Sequence, residues 1–163
     1  MVQPYPLDSI DERLVTALAL FPRAGTMTLA REAGVARNTA QARLDRLISA
    51  GVITGFGPEI DLRRVGYGVS AFVTIEIAQG RRSDIDDHLA AIPEVVEAYM
   101  TTGSADMLCR VVARDNDHLG HVIAGILEVP GVTRTTTSLI LSTRIAPRTR
   151  NVLHYLQSPD GGG

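Results

Sequence analysis

The chain has no lysine: all sixteen basic residues among its 163 are arginine, which reads as compositional bias and carries no functional signal. It has a single cysteine, Cys109, so no disulfide can form within the chain and no Cys-pair metal or redox motif exists. Set in an apolar, strand-like run, that thiol reads as a small packing residue. No stretch approaches the ~18 apolar residues of a membrane span. The opening MVQPYPLDSIDE lacks the basic and apolar regions of a signal peptide, and a cytoplasmic protein is expected. Net charge is −2, which gives no global basic field. Nucleophile-elbow and phosphate-cradling patterns are absent too, and no cofactor is expected. What remains is a 45% hydrophobic chain with its charges dispersed, long enough for one ordinary domain or two small ones.

Residues 29–53, LAREAGVARNTAQARLDRLISAGVI, carry the strongest functional pattern. Two short helical periods meet at Gly34, a junction that suits positive φ. Leu29, Ala30 and Ala33 form the apolar side of the first. Ala40, Leu44 and Leu47 recur at i, i+4 and i+7 on the second, leaving Arg37, Asn38, Thr39, Gln41, Arg43 and Arg46 off that stripe. Arg matches guanine, and Asn or Gln matches adenine, by paired hydrogen bonds in the major groove. A seated helix with such a free side is a helix-turn-helix reader of double-stranded DNA. Arg37, Asn38, Thr39, Gln41 and Arg43 are the expected groove residues, with Arg46 and Arg23 on phosphate. Residues 23–50 hold five Arg against Glu32 and Asp45, a local net of +3 that a dimer presents twice.

Flanking segments extend the motif. Ser9 and Glu12 stand in capping-box spacing before Ile10, Leu14, Ala17, Leu18 and Phe21, a candidate buried face. After Gly51, VITGFGPEI offers two strand-like runs, and the expectation is a winged helix. From residue 67 the period becomes alternating: in YGVSAFVTIEIA, Tyr67, Val69, Ala71, Val73, Ile75 and Ile77 share one face. Ser83 is then a candidate cap for a helix carrying Ile85, Leu89 and Ile92, stopped by Pro93. Strands VVEAYMTT and MLCRVVA follow. Asp115 caps a helix with Leu119, Val122, Ile123, Ile126 and Leu127, and a last strand is expected over roughly 132–145. Ile92-Pro93-Glu94-Val95 is echoed 37 residues later by Val129-Pro130-Gly131-Val132. Two interleaved βαβ units predict a ferredoxin-like βαββαβ domain. Its open sheet face carries Phe72 and Ala78 beside Thr74 and Glu76, with Ile140 or Leu139 according to register, which suits packing against a copy of itself. The class is α+β: a winged helix-turn-helix with linker over 1–61, a ferredoxin-like oligomerisation domain over 62–150, and a tail over 151–163 whose SPDGGG reads as disordered.

A winged helix followed by a ferredoxin-like domain resembles the Lrp/AsnC, or feast/famine, regulators. The matching residues are LDSIDERLVTAL, the helix-turn-helix, Gly66-Tyr67, Gly103 with Asp106, and Pro130-Gly131-Val132, covering about residues 7–150. The resemblance implies a sequence-specific transcriptional regulator whose homodimers assemble further, commonly to octamers. It also implies a small-molecule effector, usually an amino acid, bound where dimers meet. The implied pocket comprises Tyr99, Met100, Thr101, Gly103, Ser104, Ala105 and Asp106; a plain β-turn is the other reading of this loop. Two departures stand out. Ala36 occupies the recognition-helix cap position, where relatives often place Ser or Thr. Ser104 follows the loop glycine, where many carry an acid. A ligand-independent architectural DNA-binding protein therefore remains the alternative. Asp117, His118 and His121 lie within one helical turn, but two histidines without a convergent third ligand argue for an outer helix face or an oligomer contact. An enzyme built on Asp106 or the histidines is the least supported class.

Overall fold

The computed structural model describes residues 4–78, 85–147 and Val152. The chain divides into two compact units, one built on residues up to Pro58 and the other on Glu59–Ile145. The capping position proposed for Ser83 and the tail SPDGGG lie outside the described residues.

The first unit is three helices: α1 (Ser9–Leu20), α2 (Thr26–Ala33) and α3 (Arg37–Ser49). Their shared interior is Leu14 and Ala17 from α1, Leu29, Ala30 and Ala33 from α2, and Ala40 and Leu44 from α3. The alanines let the helices approach closely; the leucines supply most of the apolar area, about 1.5–3 kcal/mol for each fully buried side chain. Gly34 and Gly51 take φ +68° and +70°. Beyond them, the Val35 amide bonds Ala30 O and the Val52 amide bonds Leu47 O, both at 2.9 Å. Each helix thus closes in a left-handed turn that satisfies its last carbonyls.

Three expectations are corrected in this unit. α1 begins one residue earlier in capping terms: Asp8, not Ser9, is the cap. Asp8 Oδ1 accepts from the Ile10 and Asp11 amides, and the Asp11 carboxylate returns to the Asp8 amide at 3.4 Å. A carboxylate with extended backbone (φ −104°, ψ 175°) serves the cap, and Ser9 becomes the first helical residue. Phe21 lies beyond the end of α1 and is exposed. The wing is not present: no strand forms over residues 52–60. Pro58 cannot donate to a ladder, Gly55 and Gly57 have no side chain to pack, and the Val52 and Ile53 amides are already turned back on Leu47 O.

In the second unit a 3-10 turn (Leu62–Val65) leads into β1 (Val69–Ile77), α4 (Ile85–Ala90), β2 (Val95–Met100), β3 (Met107–Ala113), α5 (Asn116–Leu127) and β4 (Val132–Leu139). All pairings are antiparallel and the sheet order is β2-β3-β1-β4, the ferredoxin-like arrangement. Ala71, Val73 and Ile75 of β1 and Met107, Cys109, Val111 and Ala113 of β3 pack with Ile85, Leu89, Leu119, Val122 and Ile126 from the helices. Period two on the strands and period 3.6 on the helices meet in this one core. Asp115 caps α5, accepting from the His118 amide at 2.7 Å. Leu127, expected inside, is exposed, because α5 turns that position away from the sheet.

The strands are shorter than expected: β1 starts at Val69 and β4 stops at Leu139. Leu139 pairs with Ala71 and so takes the helix side, while the Ile140 amide bonds Ser70 O on the outward register. The outward face carries Phe72, Thr74 and Glu76 of β1, Arg110 of β3, Glu97 and Tyr99 of β2, and Arg134 of β4. Arg110–Glu97 (2.6 Å) and Arg134–Glu76 (3.7 Å) neutralise its charges pairwise. Among the described residues no helix is long and apolar enough to cross a membrane.

Candidate nucleic-acid interface and effector loop

α3 is seated by Ala40, Leu44 and Leu47, all buried. Asn38, Thr39, Ala42, Arg43 and Arg46 line one shallow, open depression on its free side. Arg37 is exposed at the start of the helix, and Arg23, in the turn between α1 and α2, does not line the depression. Ala36 caps α3 with extended backbone (φ −68°, ψ 150°) but no side-chain hydrogen bond, so neither Asn38 nor Thr39 replaces the missing cap oxygen.

Two of the expected groove residues hold partners inside the protein. Gln41 donates to Asp45 Oδ1 and accepts from the Thr26 hydroxyl, each at 2.8 Å, bridging α2 and α3. Arg43 Nη1 donates to Asp8 Oδ2 and, at 3.1 Å, to Asp11 Oδ1. The Arg43 hydrogen bond and the Asp11 and Ile10 amides hold the Asp8 carboxyl below the usual carboxylate range. Arg46 lies 3.6 Å from Asp11 Oδ2, with its guanidinium 5.6 Å from the Tyr5 ring centroid. Tyr5, Asp8 and Asp11 escaped the sequence reading. The signal was the acid spacing in LDSIDE, which read as ordinary capping chemistry.

The loop between β2 and β3 is closed on itself. The Thr101 amide bonds Asp106 O at 2.9 Å, the Thr101 hydroxyl donates to Ala105 O at 3.1 Å, and Gly103 turns the chain at φ +119°. The Asp106 amide donates to Ile75 O, and its carboxylate accepts from the Ile77 amide at 2.8 Å. Ser104 is exposed. The structure gathers Thr101, Gly103, Ser104, Ala105 and Asp106 in one loop, but it does not place Tyr99 and Met100 on one side of it. Tyr99 pairs with Leu108 and Met100 with Met107, so their side chains leave opposite faces of β2. The Tyr99 hydroxyl donates to Glu97, whereas Met100 lines a groove with Leu89, Val95, Ala98 and Met107.

His121 is exposed, but His118 turns inward, its Nδ1 accepting from the Arg114 amide and its Nε2 3.3 Å from Glu94 Oε1. It joins α5 to the segment before β2, which corrects the expected outer-face position. Among the described residues no cluster of three or more His, Cys, Asp or Glu could hold a metal.

Residues 70–149 match the model of the Lrp/AsnC ligand binding domain. The HTH-type transcriptional regulator FL11 of Pyrococcus horikoshii is 33% identical over 138 residues, covering 85% of this chain and 91% of that protein. The chain belongs to the Lrp/AsnC family. Solved Lrp/AsnC structures share its fold. AsnC of Escherichia coli aligns at TM-score 0.77 and 30% identity, over 90% of this chain and 99% of that one. A feast or famine regulatory protein of M. tuberculosis, solved with L-methionine, aligns at TM-score 0.81 and 33% identity, over 88% and 97%.

Proposed function

We propose that this protein is a homo-oligomeric, sequence-specific transcriptional regulator that reads double-stranded DNA with α3 and responds to an amino acid or related small molecule. The exposed face of α3, set on an aliphatic seat, carries this reading. Arg37, Asn38, Thr39 and Gln41 belong to the N-terminal half of the helix, the end that meets base edges when a recognition helix enters the major groove. Arg46 and Arg23 serve phosphates, which position the module without specifying sequence. The outward sheet face, with Phe72, Tyr99 and its paired charges, is the dimer surface, and dimers assemble to an octamer. The protein works in the cytoplasm without a cofactor. Effector binds at the 99–106 segment, completed by a neighbouring subunit, since within one protomer Tyr99 and Met100 leave opposite faces of β2. It acts by favouring one assembly over another, by as much as its affinities for the two differ.

Ser104 brings no charge to that loop, and Asp106 already accepts from the Ile77 amide. Both observations favour a second reading, an architectural regulator indifferent to small molecules. Binding to the DNA upstream of the protein's own gene, against random DNA and with pooled amino acids, separates the two. Specific binding altered by a pool supports the effector reading; specific binding indifferent to every pool supports the architectural one. Binding no tighter than to random DNA at this or any selected sequence overturns the assignment of α3 as a reader.

A further inference from the structure

Among the described residues Asp11 is the one fully buried charged side chain. A carboxylate removed from water is destabilising unless charge and hydrogen bonds compensate it. Here the compensation comes from α3: Arg43 Nη1 at 3.1 Å on one oxygen and Arg46 Nη2 at 3.6 Å on the other. Asp8 holds the same Arg43 nitrogen from the N-cap of α1. The two arginines are not equivalent. The Arg43 side chain keeps 24% of its exposure and serves two carboxylates; that of Arg46 keeps 54% and meets one carboxylate, Asp11, beside the Tyr5 ring.

We infer that Arg43 is a positioning residue and not a DNA contact: with Asp8 and Asp11 it forms a strut that fixes the roll of α3 on α1, while Arg46 is the member of the pair that meets phosphate. This rests on the reading of α3 as the DNA-recognition helix. A helix lying in the groove must present the right edge to the bases. The apolar burial of Ala40, Leu44 and Leu47 is non-directional, so polar contacts at the margin of that seat, among them the Thr26–Gln41 hydrogen bond from α2, set the roll. A doubly held guanidinium at the margin of that seat supplies a directional restraint. The acids also place negative charge where it offsets part of Arg43, which makes this residue a poor phosphate ligand as it stands.

The test is DNA affinity of the full chain across a salt series, on a duplex selected for tight binding and on a random one. Each phosphate contact contributes about −0.9 to the slope of log K against log salt. Arg46→Ala should reduce the slope on both duplexes by about one contact for each α3 engaged. Arg43→Ala should leave the slope unchanged and the random duplex bound as before, yet weaken the selected duplex several-fold. Arg43→Lys should recover most of that loss, since a lysine ammonium can pair with Asp8 and Asp11 but cannot grip a guanine with two hydrogen bonds. In an Asp8→Asn, Asp11→Asn background, Arg43→Ala should cost nothing further. A slope change with Arg43→Ala equal to that of Arg46→Ala, or an Arg43→Lys variant as weak as the alanine, would overturn the inference by making Arg43 a contact residue. Failure of the parent chain to prefer any duplex over random would overturn the reading of α3 first, and this inference with it.

Discussion

The Asp106 carboxylate accepts a hydrogen bond from the Ile77 amide at 2.8 Å, beside the point where β1 shifts register against β4 between Glu76 and Ile77. A residue that the family resemblance places in the effector pocket is therefore also the acceptor for an amide at a strand irregularity.

Asparagine at position 106 keeps an acceptor oxygen, and alanine does not. Asp106→Ala should lower stability by about 1–3 kcal/mol through the orphaned amide, whereas Asp106→Asn should cost much less. Denaturant midpoints for the two variants check this. If an amino acid also uses the charge, Asp106→Asn should lose effector response while keeping its fold.

α3 begins without a side-chain cap at Ala36, whose backbone already has the extended geometry a capping residue adopts. Ala36→Ser should stabilise the protein by about 0.5–1 kcal/mol. Thermal unfolding should show a raised midpoint, and an unchanged or lowered one would mean the serine oxygen does not reach the α3 amides.

Glu97 sits 2.6 Å from the Arg110 guanidinium, which holds its carboxyl below the ordinary 4.5. A depressed folded-state value means the pair contributes stability above pH 4.5 that is lost as pH falls below it. Asp8, held down by Arg43, adds loss of the same sign starting near 3.8. Urea midpoints followed from neutral pH into this acid range should fall, and Glu97→Gln should make the fall shallower. An equal slope in the variant would remove the pair from the acid response.

Cys109 is fully buried, and burial pushes its thiol up to about 11. At neutral pH a thiol alkylating reagent should leave it unmodified in the folded protein and label it fully in denaturant. Mass spectrometry distinguishes the two. Rapid labelling of the native chain would show that the inner face of β3 opens readily.

Periodicity made the core legible. Alternation in β1 from Val69 to Ile77 and in β3 from Met107 to Ala113 placed the inner face correctly, and the Ala40–Leu44–Leu47 stripe placed the seat of α3. Gly34 and Gly51 were readable because left-handed helix closures favour glycine. Position-level choices were not readable. Asp8 and Ser9 are both good caps, and only backbone geometry chose between them. VITGFGPEI has strand-like composition, yet strands need partners, which composition does not supply. Arg43 and Arg46 look alike on a helical projection. What separates them is the pair of acids that α1 brings against one more closely than the other, a contact between residues some thirty positions apart.

Asp8 uses one oxygen to cap α1 and the other to hold Arg43. Helix capping by itself would accept Ser, Thr or Asn at this position nearly as well. None of those three carries the charge that also pairs with Arg43 on α3. The tolerance of a first-turn residue is thus set from thirty-five positions downstream. A change that looks neutral to the helix it begins would be felt in how faithfully a different helix meets its target.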